Sequence, residues 1–111
     1  MITLFYLLSA HFLCDYPLQG DFIGKFKNRN VNDKMNPPFI PWWHLMTAHA
    51  FIHAGAVLLI TNRIELALTE LVAHFIIDVL KCEGYTDINV DQALHVTCKC
   101  LYMVYIINGF R

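Results

Sequence analysis

Four times in this chain, ionisable side chains recur at a spacing of four on an otherwise apolar stretch. His11 and Asp15 form the first set, and His49 and His53 the second. Glu70, His74 and Asp78 form the third, and Asp91 and His95 the fourth. Residues four apart stand one turn apart on the same helical face. Each stretch therefore predicts a helix with one stripe of carboxylate and imidazole on an apolar cylinder. An uncompensated buried charge is strongly destabilising, so such stripes must face one another or a ligand.

The apolar stretches are long. The first covers residues 2–19 and stops near Pro17 and Gly20. The second begins just after Pro37 and Pro38, takes Pro41 into its first turn and runs to about Thr61. The third covers residues 62–82 and ends before Gly84. The fourth starts at Asn89 as N-cap, with Asp91 in its first turn, and runs to residue 108. Each has about the 20 residues that cross a hydrocarbon core. The expected fold is all-α: one compact four-helix transmembrane bundle, a single helical membrane domain over residues 1–111. The apolar start lacks a basic leader segment and a small-residue cleavage site, and reads as a retained first helix.

Composition agrees. The hydrophobic set is 57% of the chain and charged residues are 15%, against about 25% charged in soluble domains. These values exclude a disordered chain and a nucleic-acid tail, and the length excludes a multidomain enzyme. A net charge of −1 offers no attraction to a nucleic-acid duplex. Cys14, Cys82, Cys98 and Cys100 form no C-x-x-C pair and read as apolar core thiols.

The one long polar stretch, residues 21–36, sets Lys25, Lys27, Arg29 and Lys34 against Asp21 and Asp33. Basic loops stay cytoplasmic, which puts both termini outside and brings this loop near anionic lipid headgroups. In an up-down bundle Asp15, His49, Asp78, Asp91 and His95 all fall in the half next to this loop. The four stripes then share one level.

His11, Asp15, His49, His53, His74, Asp78, Asp91 and His95 are thus eight candidate metal ligands. Imidazole and carboxylate suit zinc, and also manganese or iron. One zinc takes four ligands at most, so eight suit two ions. Paired metals act on phosphoryl groups. Glu70 reads as a catalytic base or a group holding an imidazole tautomer, and Asp91 as a proton acceptor. Lys81, Gln19 and Gln92 read as substrate contacts. Lys99 reads as facing a cavity or pairing with a carboxylate. Trp42 and Trp43 read as an interface anchor, and Tyr102, Tyr105 and Phe110 as interface or packing residues. Gly55 reads as permitting close helix approach.

These motifs resemble those of a domain-of-unknown-function family of small membrane proteins found in bacteria and their phages. H-x-x-x-D-x-x-L-Q is matched by His11, Asp15, Leu18 and Gln19. H-x-x-x-H is matched by His49 and His53, with Gly55 one place later than in the family. H-x-x-x-D-x-x-K is matched by His74, Asp78 and Lys81, and D-Q-x-x-H by Asp91, Gln92 and His95. The resemblance covers nearly the whole chain and implies a membrane location and a shared site. The motif style is also similar to membrane-bound metal-dependent hydrolases.

The expected function is a metal-dependent phosphoesterase in the bacterial inner membrane, its site facing the cytoplasm. Its substrate would be a lipid headgroup or a nucleotide-like molecule. Two other classes fit the same stripes. One is a proton or divalent-metal transporter, which needs a homo-oligomer. The other is a non-enzymatic interaction protein held together by a structural metal.

Overall fold

The computed structural model describes residues 1–34 and 40–109. Pro37 and Pro38, expected to precede the second long helix, lie outside the described residues, as does Phe110. Six helices and no strands occur among the described residues. They are α1 (Ile2–Asp15), α2 (Gly20–Phe26), α3 (Arg29–Asn32), α4 (Trp42–Thr61), α5 (Ile64–Cys82) and α6 (Ile88–Ile107). The fold is all-α, as the stripes predict.

The four long helices close into a ring. α4 packs on α1 and α5, and α6 packs on α5 and α1. Short connections enforce antiparallel neighbours. Between α4 and α5, Asn62 takes the left-handed conformation (φ 55) and its N–H donates to Leu58 O at 2.8 Å. Asn tolerates this region better than most residues. After α5 the chain forms a Schellman turn. Gly84 (φ 84) and Tyr85 donate back to Lys81 and Leu80 carbonyls.

Helix ends differ from the sequence reading at three places. α1 stops at Asp15 rather than running to residue 19, since Pro17 has no N–H to continue the ladder. Pro41 is the N-cap of α4 rather than part of its first turn. α6 is capped by Asp87, not Asn89, because the Asp87 carboxylate accepts from Val90 N–H at 2.8 Å.

The stretch expected as a polar loop is partly folded. α2 and α3 occupy it and are tied to the end of α5. Arg29 pairs with Glu83, and Asn30 Nδ2 donates to Cys82 O at 3.1 Å. The guanidinium beside it holds the Glu83 carboxyl below its usual range. Buried Asn32 donates to the carbonyls of Phe26 and Ile40 at 3.0 and 2.8 Å, which gives these two backbone acceptors partners inside the protein.

Packing of the long helices is layered, one turn per layer. Leu7, Val57, Leu66, Tyr102 and Met103 form an apolar layer at one end. His11, His53, Glu70 and Lys99 follow one turn on, and then Asp15, His49, His74 and His95. Asp78 and Asp91 lie a further turn toward α2 and α3. All these polar residues are buried, whereas Phe5, Phe12, Phe51, Leu59, Leu68, Val72, Ile76, Leu101, Val104 and Ile107 are exposed. The bundle is polar within and apolar without. Trp42–Thr61 is the one helix among the described residues that is long and apolar enough to cross a bilayer. Gly55 does not serve close approach, since a Cβ there would meet nothing within 4 Å.

The α6 cap gives a direct check. Asp87→Ala should lower stability by about 1 kcal/mol, whereas Asn89→Ala should shift it by less than about 0.5 kcal/mol. Denaturant unfolding of the two variants measures the difference.

Candidate metal centre

Each long helix contributes its stripe to the axis of the bundle. α1 supplies His11 and Asp15, and α4 supplies His49 and His53. α5 supplies Glu70, His74 and Asp78, and α6 supplies Asp91, His95 and Lys99. Every one of the eight expected ligands is buried, Asp15 being the most exposed at 7%.

Three overlapping groups of possible ligands form two adjoining nests, and His74 belongs to two of the groups. In the first, Asp15, His49, His53 and His74 offer ligand atoms that all lie within 4.8 Å of one another. Asp15 Oδ1 is 3.0 Å from His53 Nε2, 3.2 Å from His49 Nε2 and 3.6 Å from His74 Nε2. In the second, His11, His74 and His95 converge within the same limit, as do Asp15, Asp91 and His95. The imidazoles crowd together, with ring centroids 3.7 Å apart for His53 and His74 and 4.3 Å for His74 and His95.

Asp78 links the nests. Its Oδ1 lies 3.2 Å from His95 Nε2, and its Oδ2 lies 3.4 Å from His49 Nε2 and 3.6 Å from His74 Nε2. Asp15 links them similarly, since its Oδ2 accepts from Gln92 Nε2 at 2.9 Å and lies 3.5 Å from His11 Nε2.

Several buried atoms here have no hydrogen-bond partner among the described residues: His11 Nδ1, His49 Nδ1, both ring nitrogens of His74, and Asp91 Oδ1. An unsatisfied buried polar atom costs about 1–3 kcal/mol. Of these atoms, His74 Nε2 faces Asp15 and Asp78, and Asp91 Oδ1 lies 3.5 Å from His95 Nε2. Free ring nitrogens and carboxylate oxygens turned toward a common centre are the donor set that a divalent ion takes. The residues therefore fit such an ion.

Three lysines surround the nests. Lys99 Nζ donates to Glu70 Oε1 at 2.6 Å, and Tyr102 Oη donates to Glu70 Oε2 at 2.7 Å. Glu70 Oε1 also lies 3.3 Å from His74 Nδ1. Glu70 thus stands behind His74 with both oxygens engaged. Lys81 Nζ lies 3.3 Å from Asp91 Oδ2, which also accepts from Gln92. Lys27, 3% exposed, reaches in from the end of α2 and pairs with Asp78 Oδ2.

Among the residues read as substrate contacts, Gln92 bridges His11, Asp15 and Asp91 inside the cluster. Gln19 donates to the Asp15 carbonyl at 3.0 Å. It borders a cleft of about 530 Å³, lined also by Asp15, Tyr16, Gly20, Asp21, Gly24 and Lys25. His44 is exposed and stacks on Trp43, away from the centre.

Sequence reasoning missed two participants. Lys27 looks no different from Lys25 or Lys34 along the chain, and only the return of α2 over the bundle carries it inward. Tyr102, read as an interface or packing residue, is buried with its hydroxyl on Glu70. Its place three residues after Lys99 on one helix was the available signal.

Residues 3–109 match the family described as "Protein of unknown function (DUF3307)", and the chain belongs to it. No curated protein and no solved structure matches the chain.

The Glu70–Lys99 pair is buried, so removing one partner strands the other. Lys99→Met should destabilise the fold by about 3–5 kcal/mol. The double variant Lys99→Met/Glu70→Leu should be more stable than Lys99→Met alone. Denaturant unfolding of both variants tests this.

Proposed function

We propose that this member of the DUF3307 family is a membrane-embedded metal-dependent phosphoesterase with a two-ion centre. The observation that carries the reading is a buried cluster with unpartnered donor atoms, in which seven of the eight side chains fall into close ligand groups and Asp78 touches three of their imidazoles. Eight candidate ligands are more than the three or four that one zinc needs and suit two ions. His11, Asp15, His49, His53, His74, Asp78, Asp91 and His95 would hold them, zinc being the first choice and manganese or iron the others.

Bound divalent ions supply charge that polarises a phosphoryl oxygen and makes nearby water easier to deprotonate. The chain's own residues divide the remaining work. Asp91 Oδ1, 3.5 Å from His95 Nε2 and without a hydrogen-bond partner among the described residues, would be the proton acceptor in the state where no ion takes that oxygen. Glu70, anchored by Lys99 and Tyr102, orients His74 instead of meeting the substrate. Three aspartates face Lys27 and Lys81, so two divalent ions make the pocket net positive, the sign that draws a phosphate. The cleft beside Asp15 admits the substrate, whose reacting group belongs to a lipid headgroup or a nucleotide-like molecule.

The polar interior and apolar exterior support a bilayer setting, since lipid rather than water satisfies exposed Phe, Leu, Ile and Val. The basic residues of α2, α3 and their surroundings favour the cytoplasmic side for the cleft. The Leu7–Val57–Leu66–Met103 layer closes the far end. A closed end favours a hydrolytic centre over a path for ions through the membrane.

Elemental analysis of detergent-purified protein should find about two zinc, manganese or iron ions per chain. His49→Ala and His74→Ala should each lose metal and abolish phosphoester turnover. Full metal content in both variants would sink the reading.

A further inference from the structure

We propose that Lys27 is a phosphoryl-binding residue of this centre, held by Asp78 until a divalent ion takes that carboxylate. The inference rests on the two-ion reading above and names what the freed lysine then does.

Lys27 is the residue after α2, outside the four-helix ring, yet its side chain is buried and Asp78 is its hydrogen-bond acceptor among the described residues. Buried lysine is rare without a partner, because a desolvated ammonium is costly. The oxygen it holds, Asp78 Oδ2, is the one that faces His49 Nε2 and His74 Nε2 at 3.4 and 3.6 Å. An ion gathered by those two imidazoles therefore competes with the ammonium for one oxygen. A divalent ion on that oxygen would repel the neighbouring ammonium strongly at low dielectric. Once displaced, the ammonium needs another anion, and it is already inside the site.

The access geometry says which anion. Gly20, Asp21, Gly24 and Lys25 of α2 form one wall of the cleft that reaches Asp15. A group entering there approaches the centre along α2, the helix that Lys27 follows. Across the site Lys81 stands on Asp91 in the same way, 3.3 Å from its Oδ2. Lys27 from the end of α2 thus stands on one carboxylate of the cluster, Asp78, and Lys81 from α5 on another, Asp91. Two ammonium groups flanking two metal nests match an anion with several oxygens, a phosphoryl group. Lysine binds such a group as a point charge.

The test loads detergent-purified protein with zinc and measures retention of radiolabelled inorganic phosphate and of a short-chain phosphatidate by equilibrium dialysis. Lys27→Met should bind zinc more tightly than the unsubstituted protein, since the competing ammonium is gone. Its zinc-loaded form should hold phosphate more weakly by about tenfold or more, and Lys27→Arg should retain most of the binding. Loss with both ligands supports a subsite for any phosphoryl group, and loss with phosphatidate alone supports the lipid headgroup as its source. Zinc-loaded Lys27→Met that retains both ligands unchanged overturns the inference and leaves the two-ion reading standing. Failure of the unsubstituted protein to take up any divalent ion overturns both. Acylation of Lys27 in the unsubstituted protein, mapped by mass spectrometry, covers the case in which Lys27→Met does not fold. Zinc should raise the modification and phosphate should then suppress it, and an unchanged yield in all three states overturns the inference.

Discussion

His74 sits where all four long helices meet, stacked on His53 and His95 and facing Asp15 and Asp78. Its burial is complete, and so is that of Asp78 and Asp91. Most bundles bury aliphatic side chains at the axis and face water outside. Here the axis is filled with groups that water would solvate best. Such a column persists only when each group finds a partner of opposite charge, a hydrogen bond or an ion. The arrangement of the helices follows from that requirement: each must turn its stripe inward, and all stripes must lie at one level.

The two ends of the column are different. One end closes on Leu7, Val57, Leu66, Tyr102 and Met103, and the layer next to it holds the Glu70–Lys99 pair. The other end is covered by α2 and α3, from which Lys27 reaches Asp78, and beside it lies the cleft bordered by Asp15 and Gln19. Chemistry at such a centre has one open side. In the bilayer setting proposed above, the exposed apolar faces of the long helices would meet a low-dielectric surrounding, which would strengthen every charge interaction within.

Much of this was legible along the chain because helical periodicity is local. The spacing from His11 to Asp15, or from His74 to Asp78, assigns both residues to one face whatever the partner helix is. Antiparallel neighbours then bring the stripes into register, so that the eight candidate ligands fall within three adjacent turns of the bundle. Local signals failed where two choices have similar energy. Asp87 and Asn89 are both good caps, and only the chain's path into α6 favours Asp87. Gly55 looked like a contact point, but a Cβ there would meet nothing within 4 Å.

By itself the sequence determined the four long helices, their polar faces and the class of ligand atoms those faces present. Those properties depend on residues within a turn or two of each other. The tertiary structure alone decided which oxygen meets which nitrogen, that Glu70 stands behind His74 in the grip of Lys99 and Tyr102, and that Lys27 enters the centre. Such pairings join residues 29, 32 and 51 positions apart. No periodicity spans those separations; they are set by how α2 and the long helices pack.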